Sequence, residues 1–169
     1  YEDSDGNVYA VSESGVAMFS EEKHSLLSRN ADVRAFAETD ESIFFLSEDH
    51  LLAIDKTTRE QSRADLKSLG LSGAVTMTIT GGRIFVGFRD NAVAAVDAKT
   101  LQAKVHKTDM GRVRYLFPDP DGLLWIATDR TGIWSYNPSG DRFRHYEHSN
   151  NVMSYYVDTL ARVETQGDR

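Results

Sequence analysis

The sequence predicts an all-β protein, a β-propeller of about four four-stranded blades within 169 residues. Three observations carry this. An aromatic residue recurs inside a short apolar run at Tyr9, Phe44, Phe85 and Trp125, at separations of 35, 41 and 40 residues, the period of a propeller blade. A second apolar run follows each of these, at Val16–Phe19, Leu51–Ile54, Val93–Val96 and Ile133–Tyr136. The first three of these second runs are apolar on both faces. A strand turns alternate side chains to opposite faces, so such a strand must be covered on both sides, as in sheets stacked around an axis.

Each repeat reads as four strands, A to D. In the first blade, strands are expected near 7–12 and 16–19. The second should hold 33–38, 42–47 and 51–55, and the third 75–80, 83–88 and 92–97. The fourth should hold 113–117, 123–128, 133–137 and 142–146. The turns agree. Thr80-Gly81-Gly82-Arg83 and Asp119-Pro120-Asp121-Gly122 join A to B, with glycine supplying positive φ. Asp55–Thr58 and Asp97–Thr100 join C to D, where an Asp oxygen can accept from backbone N–H groups two or three residues on. Ser20–Arg29 and Arg59–Leu69 could be amphipathic helices, the second stopped by Gly70. The repeat register places strand D there instead and outweighs propensity. The blades then span approximately 1–31, 32–70, 71–110 and 111–150, with 151–169 starting the next blade.

Phe85 and Trp125 are expected to be buried between blades, so that Trp125→Ala should cost about 3–5 kcal/mol. Trp134 shares a column with Ala17, Leu52 and Ala94, and reads as a core residue covering the next blade more readily than as a sugar-stacking ring.

Composition excludes several classes. Lys plus Arg is 19 against 26 Asp plus Glu, a net charge of −7, which disfavours nucleic acid or anionic lipid as a partner. There is no Cys, hence no thiolate metal site and no Cys nucleophile. The apolar runs are too short to cross a bilayer. No nucleophile elbow, phosphate loop or dinucleotide fingerprint is present. His145 and His148 fall on opposite faces of a strand. Asp3–Asn7 and Asp119–Gly122 start like calcium loops but lack the later ligands. No metal, cofactor or catalytic residue is therefore expected.

In a propeller the B–C and D–A loops share one face. That face should gather Asp49, His50, Arg89, Asp90, Asp129 and Arg130 from the B–C side, and Asp109 and Arg112 from the D–A side. Mixed acids, bases and His suit a hydroxyl-rich ligand, because each sugar OH both donates and accepts. These eight are the candidate ligand-binding residues.

Blade four carries the most specific motif: Asp121-Gly-Leu-Leu-Trp-Ile-Ala-Thr128, then Gly132-Ile-Trp-Ser-Tyr-Asn137, then Phe143-Arg-His-Tyr146. This resembles the two-component regulator propeller repeat, with Leu123 where that repeat has Asn and Ala127 where it has Gly. Asp5-Gly-Asn-Val-Tyr9 matches in blade one. Arg83-Ile-Phe-Val-Gly87 with Ala94–Thr100 looks equally like quinoprotein-type propeller repeats. The resemblance implies the extracytoplasmic, periplasmic sensor region of a bacterial hybrid two-component sensor kinase. It implies a non-enzymatic propeller that detects saccharides, with an oligosaccharide ligand and the rest of the parent sensor as partners, and a homodimer as a further option. A quinoprotein-like or scaffold propeller binding another protein is the first alternative, and a propeller lyase or glycosidase the second. The start at Tyr1 and the stop at Arg169 suggest truncation, so the resemblance also favours an arc of a larger ring of about seven blades. A closed four-bladed ring would instead pair Val157–Val163 with Asn7–Ser12.

Overall fold

The computed structural model describes residues 1–12, 15–20, 24–29 and 32–146. They form four antiparallel sheets, each in chain order. The first comprises β1 (Val8–Ser12), β2 (Gly15–Phe19) and β3 (His24–Arg29). The second comprises β4 (Val33–Glu38), β5 (Ser42–Ser47), β6 (His50–Asp55) and β7 (Gln61–Asp65). The third comprises β8 (Ala74–Thr80), β9 (Arg83–Phe88), β10 (Ala92–Asp97) and β11 (Ala103–Lys107). The fourth comprises β12 (Val113–Pro118), β13 (Leu124–Thr128), β14 (Ile133–Asn137) and β15 (Arg142–Tyr146). Every expected strand is present with its ends within one residue.

The two ambiguous stretches resolve as strand D. Ser20–Arg29 supplies β3 and Arg59–Leu69 supplies β7, followed by a single 3₁₀ turn at Lys67–Leu69 that Gly70 closes in the left-handed region. The first blade is more complete than the sequence suggested. Tyr1–Asp3 begins its strand A, with Glu2 bridging antiparallel to Val8 and the Tyr1 and Tyr9 backbones exchanging hydrogen bonds.

The turns repeat atom for atom. In the first A–B hairpin Asp3 N donates to Asn7 O at 3.0 Å, and in the fourth Asp119 N donates to Leu123 O at 2.7 Å. The Asp3 carboxylate accepts from the Asp5 and Asn7 amides and from the Tyr9 hydroxyl at 2.8 Å. Asp119 accepts from the Asp121 amide and from the Trp125 indole at 3.1 Å. The calcium-loop likeness is thus a hairpin whose first Asp ties the turn to the blade's aromatic residue. In the C–D turns Asp55, Asp97 and Asn137 each accept two amide hydrogen bonds from two and three residues on. Arg59, Leu101 and Asp141, each four residues after, take positive φ.

Packing follows the aromatic column. Tyr9 packs against Phe36 and Phe45 of the second sheet. Phe44 joins a cluster with Met77, Ile84 and Val86 of the third, and Phe85 one with Leu116, Leu124 and Tyr136 of the fourth. Each ring faces the following blade. Trp125 occupies the same column but is half-buried rather than buried, resting on Tyr146 with ring centroids 5.3 Å apart. Its face of the last sheet has no further sheet against it among the described residues, and Tyr115 beside it is 40% exposed. The first blade is open on its outer face too, where Val8, Phe19 and Leu26 are 46, 47 and 54% exposed. Trp134 faces backward, packing on the cluster it shares with Phe85 and Val93, so it covers the preceding blade, not the next. The expected closing segment, Val157–Val163, and the start of a next blade at 151–169 lie outside the described residues.

Candidate ligand-binding face

Strand A opens with a β-bulge in blades two, three and four, between Val33 and Ala35, Ala74 and Thr76, and Val113 and Tyr115. The inserted residue is Arg34, Val75 or Arg114. A bulge re-aims its side chain and increases the local twist. All three lie at the end of the blades where B runs into C and D runs into A. Backbone hydrogen bonds knit those two loop sets together: Leu66 N to Asp49 O at 2.8 Å, Ala74 N to Glu48 O at 3.1 Å, Arg89 N to Gly73 O at 3.1 Å and Asp129 N to Arg112 O at 3.0 Å. Leu66, Leu71 and Met110 are buried beneath and anchor the D–A segments.

The polar side chains fall into small groups. Glu48 takes Arg34 at 2.6 Å and Arg89 at 3.8 Å, joining blades two and three. Arg34 also reaches Asp32 and the Ala74 carbonyl, each at 3.3 Å. Asp49 pairs with Lys67 at 2.6 Å, which raises the lysine's pKa. Asp90 accepts from the Ser72 hydroxyl at 2.7 Å. In blade four Asp129, with a side chain only 17% exposed, is shared by Arg114 in direct contact and Arg112 at 3.8 Å. The Arg112 Nε atom is buried and has no hydrogen-bond partner. Desolvation lowers the His50 pKa, helped by Arg63 and opposed by Asp49 and Asp65, so the ring favours its neutral form.

Of the eight residues expected here, Arg112 meets Asp129. Arg89 meets Glu48 across a blade boundary. Asp49 and Asp90 are engaged by Lys67 and Ser72. Asp109 and Arg130 are exposed, with no partner among the described residues. Arg34 and Arg114 escaped the reading from sequence. The signal was the Val-Arg step at the same repeat position, Val33-Arg34 and Val113-Arg114. Trp134 is occupied structurally: its indole donates to Thr131 Oγ1 at 3.0 Å and its ring stacks on His145 at 4.2 Å. His148 lies outside the described residues.

Among the clefts at the other end of the blades, two lie between the four-stranded sheets. One of about 460 Å³ lies between blades two and three beside Glu41, Asp55, Glu60 and Lys99, and one of about 450 Å³ lies between blades three and four beside Arg83, Lys104, Tyr136 and Asp141. Both sit where strand C carries a small residue, Ala53 or Ala95, next to the column aromatic. Tyr136 donates to Asp141 at 2.9 Å, and burial together with that bond pushes its phenol up to about 12.

Residues 109–130, from the D–A loop through β13 into the next loop, match the family profile described as "Two component regulator propeller". This one segment of blade four is thus similar to a two-component regulator propeller repeat. No sequence among the curated proteins matches it significantly. Among solved structures, the chain is similar to the extracellular domain described for hybrid two component system BT4673 from B. thetaiotaomicron. There the TM-score is 0.67 and the identity 14%, over 90% of this chain and 22% of that one. The corresponding domain of BT3049 from the same organism gives 0.64 and 16%, over 82% and 21%. The RRP9 WD40 repeats give 0.60 and 14%, over 70% and 39%. Identities this low express a shared propeller fold. The chain spans about a fifth of the two sensor domains. No helix among the described residues is long and apolar enough to cross a membrane.

Proposed function

We propose that this propeller is a non-enzymatic, ligand-sensing segment of a two-component signalling protein. It works outside the cytoplasm and binds a saccharide on the face formed by the B–C and D–A loops. The observation that carries the reading is a coincidence of sequence and place. The stretch that matches the regulator-propeller profile, residues 109–130, is the one that brings Asp109, Arg112, Arg114, Asp129 and Arg130 to that face. Guanidinium forks supply fixed donors and carboxylates supply acceptors, a set that suits hydroxyl groups that do both. The Arg112 and Arg114 side chains that meet Asp129 are 38 and 45% exposed, so water screens these pairs and ligand contacts can replace them. The solved sensor domains similar to this chain are described as extracellular, which supports the location. Signal output would be carried by other parts of the parent protein.

Calorimetric titration of the full chain with a panel of oligosaccharides tests this. One glycan class should bind, and Arg130→Ala and Asp129→Ala should each weaken it at least about tenfold, or about 1.4 kcal/mol. Arg130→Ala should leave the melting temperature unchanged. Unchanged affinity in both variants would move the site elsewhere, and a panel without any binder would remove the saccharide.

A further inference from the structure

We infer that Arg112 and Arg114 at Asp129, with Arg130 next in the same loop, form a subsite for an anionic group of the ligand, the carboxylate or sulfate of an acidic saccharide. The inference rests on the saccharide-sensing reading above and names its ligand class.

Charge balance points to it. Between blades two and three Arg34 and Arg89 meet Asp32 and Glu48, two cations against two anions. In blade four two guanidinium groups, Arg112 and Arg114, share the one carboxylate of Asp129, and Arg130 follows it in the loop. Asp129 is committed to Arg114 and approaches Arg112 Nε at 3.8 Å, beyond hydrogen-bonding distance. That nitrogen is left buried without an acceptor, so Asp129 does not saturate Arg112. Among the described residues Asp129 is the sole partner of Arg112, whose side chain is 38% exposed, which leaves its terminal fork for another acceptor. Arg114 is 45% exposed beside it. Arg130, next to Asp129 in the same loop, is exposed and has no partner among the described residues. Asp109 is exposed and does not pair with any of the three.

A planar carboxylate or a sulfate fits such forks with two parallel N–H···O bonds each. A neutral sugar would leave the surplus charge unmatched. The chain as a whole is acidic, at −7, so its long-range field repels anions. Attraction must therefore be local, and it should weaken with salt, since the Debye length falls from about 10 Å at 0.1 M to about 3 Å at 1 M.

The test is calorimetry on the full chain with matched oligosaccharides sharing one backbone: a neutral form, its uronate form and its sulfated form. Several backbones are run at 0.05 and 0.5 M NaCl. The tightest ligand should be acidic, at least about tenfold tighter than its neutral counterpart at low salt, and the margin should shrink at high salt. The uronate and sulfated arms tell which anion is preferred. Arg130→Gln should lose most of the margin, whereas Lys99→Ala, at the other end of the blades, should keep it. Neutral and acidic forms binding equally would overturn the anionic subsite and leave saccharide sensing standing. Failure of every form, neutral included, would overturn both.

Discussion

Replacing Phe85 with Ala removes a ring that is wholly buried between blades three and four and lies edge-on to Tyr136 at 5.9 Å and 66°. Burying such a ring removes about 200 Å² of apolar surface, an upper bound near 5 kcal/mol at about 25 cal/mol per Å². Truncations of this kind cost about 3–5 kcal/mol when the site cannot collapse. The cavity here is walled by Val93, Leu116 and Leu124, all buried in rigid strands, so about 4 kcal/mol is expected for Phe85→Ala. Trp125→Ala removes a larger side chain from the same column, but one that is half-buried and rests on Tyr146. About three-quarters of about 200 Å² gives an upper bound near 4 kcal/mol, and the indole hydrogen bond to Asp119 adds a net contribution of about 1 kcal/mol at most. The open outer side lets the site relax, so about 3 kcal/mol is expected. Urea unfolding followed by far-UV circular dichroism, with a common slope, measures both as midpoint shifts. Trp125→Ala costing as much as Phe85→Ala would refute the reasoning, because it would mean that the outer face of blade four is covered.

Other consequences are as specific. Gly87→Ala would place a Cβ 2.5 Å from Val113 Cγ1 and 2.9 Å from Thr76 Cγ2, so the blades must part, and about 1–3 kcal/mol should be lost in the same assay. Tyr9→Phe removes the hydroxyl that donates to the buried Asp3 carboxylate at 2.8 Å, and should lower stability by about 1–2 kcal/mol, read as a fall in melting temperature. His106, whose side chain is 10% exposed and faces Tyr136, Asp141 and Lys104, has its pKa lowered by burial, against the pull of Asp141. Below the ordinary value of about 6.5 the unfolded chain takes up a proton that the native ring resists. The ring's contribution is therefore present above pH 6.5 and lost as pH falls through the native pKa. His106→Gln should flatten that part of the urea-midpoint profile between pH 5 and 7.5, and parallel profiles would show that His106 does not carry it.

The architecture was legible because it is written in residues that repeat. Tyr9, Phe44, Phe85 and Trp125 announce strand B, and strand C declares its two covered faces. Even the helix-like stretch Arg59–Leu69 yields to register, its helical tendency surviving as one 3₁₀ turn at Lys67–Leu69. What the column could not reveal is which of its members lacks a neighbour. Trp125 and Phe85 have the same local pattern, and only the stacking of sheets separates a half-buried ring from a buried one. The face of the candidate site was legible too, because loop order alone puts Asp129 and Arg112 at one end of the blades. The pairings on it were not. Reading strands with a period of two sends Arg34 and Arg114 to a blade face, whereas each is the inserted residue of a bulge. A bulge depends on how two strands register, not on either sequence alone. Glu48 meets Arg34 and Arg89 across 14 and 41 positions of chain, and the second contact exists only once blades two and three are stacked. The same bulge turns Arg114 onto Asp129 and leaves Arg112 short of an acceptor, so the surplus of positive charge on blade four is a product of the fold rather than of any motif.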